Sequence, residues 1–196
     1  MREFKTAERV KKITDAVTSR QHSLHFVLEN IHDPHNVSAI FRTCDAVGVP
    51  KLSFLYTVEK FPKVSKVSSA SANKWMEVNK FDNTNECVES LKKDGFKIYA
   101  SMLDKNAVNL YDLDLTQKIA LVVGNEHRGI SEDMQKFADS TFYIPMRGMI
   151  QSLNVSVASA VMLYEAQRQR AEKGMYNKSE LTKEELDKLI DKWCSR

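Results

Sequence analysis

The chain has 196 residues, 42% of them hydrophobic and 28% charged, with 29 Lys and Arg against 26 Asp and Glu for a formal net charge of +3. Such a length and composition fit one globular domain with short terminal extensions, and a charge this small does not by itself identify a polyanion partner. Cys44, Cys87 and Cys194 include no CxxC pair, which argues against a disulfide framework or a zinc cluster. No run approaches the ~18 apolar residues of a membrane span, and residues 1–12 alternate charged and apolar side chains where a secretory signal would present a charged region followed by an apolar run. A cytoplasmic protein with neither metal nor membrane attachment is expected.

Between Thr6 and Arg20 the apolar Val10, Ile13 and Val17 recur at three- and four-residue spacing among Lys11, Lys12 and Arg20, the period of a basic amphipathic helix. Leu24 to Glu29 reads as a strand, Asp33-Pro34 as a turn, and Asn36 to Val47 as a helix stopped by Gly48. A strand is expected over Lys51 to Tyr56, a helix over Thr84 to Lys93 and a strand over Phe96 to Ser101. Ile119 to Val123 has no polar face, as expected of a strand covered on both sides in a parallel sheet. Ser131, followed by Glu132 and Asp133, opens a short helix to Ala138; Thr141 to Ile144 is a short strand and Leu153 to Arg170 a long helix. After the polar linker Lys173 to Ser179, a last helix from Lys183 to Trp193 carries a stripe of Leu186, Leu189, Ile190 and Trp193 that needs a surface to pack on. This alternation predicts an α/β fold with a mostly parallel sheet flanked by helices, organised as a basic N-terminal helix over 1–22, a main domain over 23–171, and a linker and helix over 172–196.

Ligands of parallel α/β sheets bind at the carboxyl ends of the strands, which points to the loops after Leu28, Ser101, Val123 and Ile144. None contains GxGxxG or GxxxxGK[ST], so a Rossmann or P-loop nucleotide site is not expected. In the first loop Asn36 and Arg42 lie under two turns apart on a helix opening near Asn36, which taken alone is a capped helix with a surface arginine. Gly124-Asn125-Glu126-His127-Arg128-Gly129-Ile130 places amides, a carboxylate and two glycines at a strand end. In the third stretch, Ile144 to Ala158, Ser152 either N-caps the long helix or forms, with Asn154, a polar pocket at its N-terminus.

Asn36-x-x-Ala39-x-x-Arg42, Gly124-Asn-Glu126-x-x-Gly129 and Ile144-Pro-Met-x-Gly-Met-x-Gln-Ser-Leu-Asn-Val-Ser-Val-Ala158 together resemble the three motifs of the SpoU-type branch of the SPOUT RNA 2′-O-ribose methyltransferases. The stretches Glu29 to Gly48, Ser71-Ala-Asn-Lys-Trp75 and Tyr164 to Arg170 are similar to the members that methylate the ribose of guanosine 18 in the D-loop of tRNA, and the similarity runs from about Glu8 to Tyr176. The resemblance implies a dimeric enzyme dependent on S-adenosylmethionine, with a trefoil knot in its C-terminal half. It also implies that Arg42 acts on the ribose hydroxyl with Asn36 in support, that Glu126, Ser152 and Asn154 line the reaction site, and that Ser101, Gly124, Ile144 and Leu153 contact the cofactor. An arginine is a poor proton acceptor, so Arg42 is expected to grip a phosphate and stabilise the developing alkoxide.

Charge placement agrees with an RNA partner. Residues 60–80 carry Lys60, Lys63, Lys66, Lys74 and Lys80 against Glu77, with Trp75 among them, and residues 1–22 carry six basic against three acidic side chains. Arg9, Lys12, Lys63, Lys66 and Lys74 are the candidate RNA contacts. Two alternatives use the same residues: methylation of ribosomal RNA or of another tRNA position, and an RNA-binding protein without catalysis. The second is disfavoured because no motif residue is lost.

Overall fold

A computed structural model describes residues 2, 5–62 and 74–196. The chain forms helix α1 (Ala7–Thr18), strand β1 (Leu24–Glu29), α2 (Pro34–Ala46), β2 (Lys51–Leu55), β3 (Glu77–Phe81), α3 (Thr84–Lys93) and β4 (Lys97–Ser101). There follow β5 (Val108–Asn109), β6 (Ile119–Val123), α4 (Glu132–Phe137), β7 (Ser140–Tyr143), α5 (Val155–Glu172) and α6 (Lys183–Cys194). The seven strands make one sheet in the order β3-β2-β1-β6-β4-β7-β5, parallel throughout.

Side chains alternate across the pleat, and each face meets its own helices. Leu24, Phe26 and Leu28 of β1 and Ile119, Leu121 and Val123 of β6 pack with Ile40 and Phe41 of α2 and Met162 and Leu163 of α5. Val27, Ala120 and Val122 face the other way, against Val88 and Leu91 of α3 and Met134 of α4. Every residue of β1 and β6 is therefore buried, which is why β6 reads as an unbroken apolar run and β1 as an apolar run interrupted only by His25 before it ends in Glu29. The stripe of α6 finds its surface on α1: Ile190, Trp193 and Cys194 pack with Ile13 and Val17, and Trp75 joins them.

Caps explain the helix boundaries. Ser131 caps α4, Asn83 caps α3, and Thr182 with Glu185 forms a reciprocal capping box on α6. Two expected starts are corrected. Helix α2 opens at Pro34, with Asp33 rather than a residue near Asn36 at its cap, because proline fits the first helical position and Asp33 accepts from the His35 N–H. Helix α5 opens at Val155 and is capped by Asn154, whose Oδ1 accepts from the N–H groups of Ser156 and Val157; Ser152 lies outside the helix. Two strands were not foreseen: β3, a polar edge strand, and β5, only two residues long.

Candidate active site

Strand β1 ends in a buried pair, Glu29 and Asn30. Asn30 adopts φ +51°, a left-handed conformation that asparagine tolerates better than most residues, and it uses every polar group it has. Its N–H donates to Leu55 O, its Oδ1 accepts from the N–H groups of Val58 and Glu59, and its Nδ2 donates to Thr57 Oγ1. Its carbonyl accepts from Asn125 Nδ2 at 2.7 Å, which ties the end of β1 to the loop after β6. Glu29 accepts from the backbone and hydroxyl of Ser131, so the far end of that loop is tied to the same strand, and burial raises the Glu29 pKa against these bonds.

The loop itself closes through a bridge between Asn125 and Gly129. A Cβ on Gly124 would lie 2.2 Å from Gly129 O, so only glycine permits this return. The closed loop aims Glu126 at the start of α2, where Oε2 accepts from the His32 N–H at 2.9 Å and Oε1 from Asn36 Nδ2 at 2.8 Å and from the Asp33 N–H at 3.4 Å. Asn36 Oδ1 in turn accepts from Asn154 Nδ2 at 3.1 Å. Asn36, Glu126 and Asn154, from three separate stretches of sequence, thus form one hydrogen-bonded row at the carboxyl end of the sheet.

Partial burial disfavours the Glu126 carboxylate, but the bonds from His32, Asn36 and Asp33 outweigh it and hold its pKa below the usual glutamate range. Its contribution to stability is therefore complete above the unfolded pKa of ~4.3 and is lost as pH falls through the lower folded value. Glu126→Gln is expected to flatten the acid limb of the stability curve below about pH 4, measured by denaturant titration at stepped pH. An unchanged slope would show that the carboxylate gains nothing from these bonds.

Arg42 is exposed on α2 and, among the described residues, has no side-chain hydrogen bond or ion pair, which leaves its guanidinium available to an incoming group. Ser152 is exposed in the loop between β7 and α5 and is not hydrogen-bonded to the row. Ser101, Gly124, Ile144 and Leu153 are half-buried at or after the ends of β4, β6 and β7 and before α5. Among the described residues, the backbone N–H groups from Met146 to Leu153 have no protein acceptor. Free amide donors beside the apolar Ile144 and Leu153 fit a ligand that joins a flat heterocycle to polar groups, as S-adenosylmethionine does. Among the described residues no group of His, Cys, Asp or Glu is placed to hold a metal, and no helix is long and apolar enough to cross a membrane.

Of the candidate RNA contacts, Arg9 and Lys12 are exposed on α1 and line a groove of about 510 Å³ that reaches Asp45 and Ala46 at the end of α2, one turn beyond Arg42. Lys74 is exposed beside Trp75, while Lys63 and Lys66 lie outside the described residues. Sequence reasoning missed Glu29, Asn30 and Asn125 as builders of the site. The available signal was two asparagines at strand ends, where left-handed turns and loop-closing bonds concentrate.

A family model described as the SpoU rRNA Methylase family matches residues 23–164. The tRNA (guanosine(18)-2′-O)-methyltransferase of Thermus thermophilus is 41% identical over 196 residues, covering 100% of both chains. The crystal structure of the A. aeolicus TrmH/SpoU tRNA modifying enzyme superposes with a TM-score of 0.88 at 43% identity, over 95% of this chain and 94% of that one. The SpoU methyltransferase AviRb from Streptomyces viridochromogenes, in complex with the cofactor AdoMet, superposes with a TM-score of 0.68 at 27% identity, over 80% of this chain and 61% of that one. With the family model covering the sheet and the residues of the hydrogen-bonded row, the chain belongs to the SpoU methylase family.

Proposed function

We propose that the protein transfers a methyl group from S-adenosylmethionine to the ribose 2′-hydroxyl of guanosine 18 in tRNA. The observation that carries this reading is the row formed by Asn36, Glu126 and Asn154 at the carboxyl ends of the strands, with Asn36 on the same helix that presents Arg42, a side chain without a partner among the described residues. The relatedness to the Thermus enzyme over the whole chain supplies the substrate.

The bound cofactor supplies an electrophilic methyl carbon, and this chain's residues do the rest by placement. Both Glu126 oxygens are engaged by N–H donors and its pKa is low, so it is a positioning residue that orients Asn36 and the start of α2 rather than a base. Asn154 caps α5 with its oxygen and holds Asn36 with its amide, locking the loop from β7 to α2. Arg42 receives the RNA: its planar fork grips the phosphate beside the target ribose and stabilises negative charge as the hydroxyl proton leaves, with that phosphate as proton acceptor. Ser152 is close in sequence to both the free amides and Asn154, and contacts the substrate or cofactor once they are bound. Ser101, Gly124, Ile144 and Leu153 form the cofactor cradle, and Arg9, Lys12, Lys63, Lys66 and Lys74 bind tRNA phosphates.

The working unit is a cytoplasmic homodimer, with the family's knotted C-terminal half. Met149 is 99% exposed, and Ile150, Val157 and Tyr164 continue an apolar strip from the loop after β7 along α5, too much for a solvent-facing helix beside an active site. Light scattering at micromolar concentration is expected to give twice the chain mass; a fully active monomer would refute the dimer.

The function is tested by methyl transfer from labelled S-adenosylmethionine into a tRNA transcript, beside calorimetry of cofactor binding. Transfer is expected into wild-type transcript and not into one with 2′-deoxyguanosine at position 18. Cofactor binding without transfer to tRNA, but with transfer to ribosomal RNA fragments, would establish the alternative substrate; binding of tRNA with no transfer to any RNA would establish the non-catalytic reading.

A further inference from the structure

A cavity of about 260 Å³ opens at the amino ends of the strands, the opposite end of the sheet from Asn36 and Glu126. Strands of five or six residues separate the two by about 15–20 Å. Its walls include the rings of Trp75, Trp193 and Phe96, and the cations Arg20, Lys51, Lys118, Lys192 and Arg196 outnumber its carboxylates, Glu77 and Asp94. Lys192 is committed to Glu77 and Arg20 to Asp45, whereas Lys51 and Lys118 have no ion pair among the described residues.

Cations already sit over the aromatic walls. Arg20 lies 5.1 Å from the centre of the Trp193 ring, Lys118 4.9 Å from Phe96 and Arg196 6.0 Å from Trp75. Two nitrogens of wall residues, Arg20 Nε and His22 Nε2, are buried without a hydrogen-bond partner among the described residues, and the Arg20 side chain as a whole is only 4% exposed. Aromatic faces with flanking ammonium groups are how proteins hold a base that has left its stack, the ring on the aromatic and the phosphate on the cation. The volume is below the ~300–1,000 Å³ that encloses a whole drug-sized ligand, so one ring system enters and its backbone stays at the mouth.

We propose that this cavity binds one unstacked nucleotide of the RNA substrate, its base against Trp75 and Phe96 and its phosphate on Lys51 and Lys118. The inference rests on the reading of the protein as an RNA methyltransferase. It gives the RNA a second anchor, distinct from the reaction site. A base held 15–20 Å from the row cannot be the one methylated in the same subunit, so the site acts on affinity.

The test is the double substitution Lys51→Ser and Lys118→Ser, with Phe96→Leu as a separate variant, in the full-length protein. The double variant is expected to bind S-adenosylmethionine like the parent, to raise the Kd and KM for tRNA three- to tenfold, and to lower the slope of log affinity against log salt by about one to two. Phe96→Leu is expected to weaken tRNA binding without changing the salt slope. Titration with tRNA is expected to quench tryptophan emission from Trp75 and Trp193, less so in the double variant. Unchanged tRNA affinity in both variants overturns the proposal, as does quenching by adenosine monophosphate with no effect of either variant on tRNA, which would make this a site for a free nucleotide. Absence of any methyl transfer by the unsubstituted protein would instead count against the parent reading, so the two failures are separable.

Discussion

Arg42→Lys is expected to fold, to bind S-adenosylmethionine as the parent does, and to lose on the order of a hundredfold or more of single-turnover methyl transfer at saturating tRNA. The side chain is exposed and has no partner among the described residues, so its replacement leaves the core and the row of Asn36, Glu126 and Asn154 intact. Lysine keeps the charge but not the two-pronged grip on phosphate, nor the geometry that places donors on a developing alkoxide. Rapid-quench transfer into a tRNA transcript, beside calorimetric cofactor binding, separates chemistry from binding. Near-parental transfer would remove Arg42 from the chemical step and return it to the role of a surface residue on α2.

The largest effect on stability is expected at the other end of the molecule, at Arg170. This guanidinium is fully buried, and its five bonds reach Leu115 O, Gln21 Oε1, Ser23 Oγ, Ser23 O and Gln117 O. Burial lowers its pKa, and Glu180 at 3.8 Å partly compensates the charge. One side chain thereby fastens the end of α5 to the segments entering β1 and β6, the two central strands of the sheet. Arg170→Met fills similar volume but takes away the donor that Leu115 O and Gln117 O rely on, while Ser23 O keeps the Ile119 N–H; each unpaired group costs roughly 1–3 kcal/mol, and the partner charge on Glu180 is left uncompensated. A loss of about 3–5 kcal/mol is expected, enough to lower the Tm of a chain this size by roughly 10 °C or more. Thermal and urea unfolding measure it, and a loss below about 1 kcal/mol would show that the network relaxes onto water.

These two arginines illustrate how differently the sequence speaks about site and scaffold. Arg42 is singled out only because the motif it stands in resembles that of the SpoU-type methyltransferases; its spacing from Asn36, taken alone, reads as a surface arginine on a capped helix. Arg170 was part of the resembling stretch Tyr164 to Arg170, yet nothing in its spacing marks it as buried. A charged residue near the end of an amphipathic helix ordinarily faces solvent, and only the carbonyls that converge on it make burial favourable.

What the chain determined locally is the set of its elements. The apolar runs of β1 and β6, the periodicity of α1, α3 and α6, and the capping side chains Ser131, Asn83 and Thr182 act within a few residues, so their physics is complete in the local sequence. Edge strand β3 escaped because its alternating polar residues pair with only one neighbour, and the ladder with β2 that makes it a strand comes from outside its own sequence. The sequence offered Ser152, not Asn154, as the cap of α5. The choice fell to Asn154 because its amide also reaches Asn36, 118 residues away, while its oxygen caps the helix. The same holds for Glu126, which becomes a low-pKa positioning group only when the Asn30–Asn125 bond and the Gly124–Gly129 contact carry it to Asn36, 90 residues distant. Hydrogen bonds between residues so far apart in sequence depend on the parallel sheet having brought the carboxyl ends of β1, β6 and β7 to one edge, which no local pattern encodes.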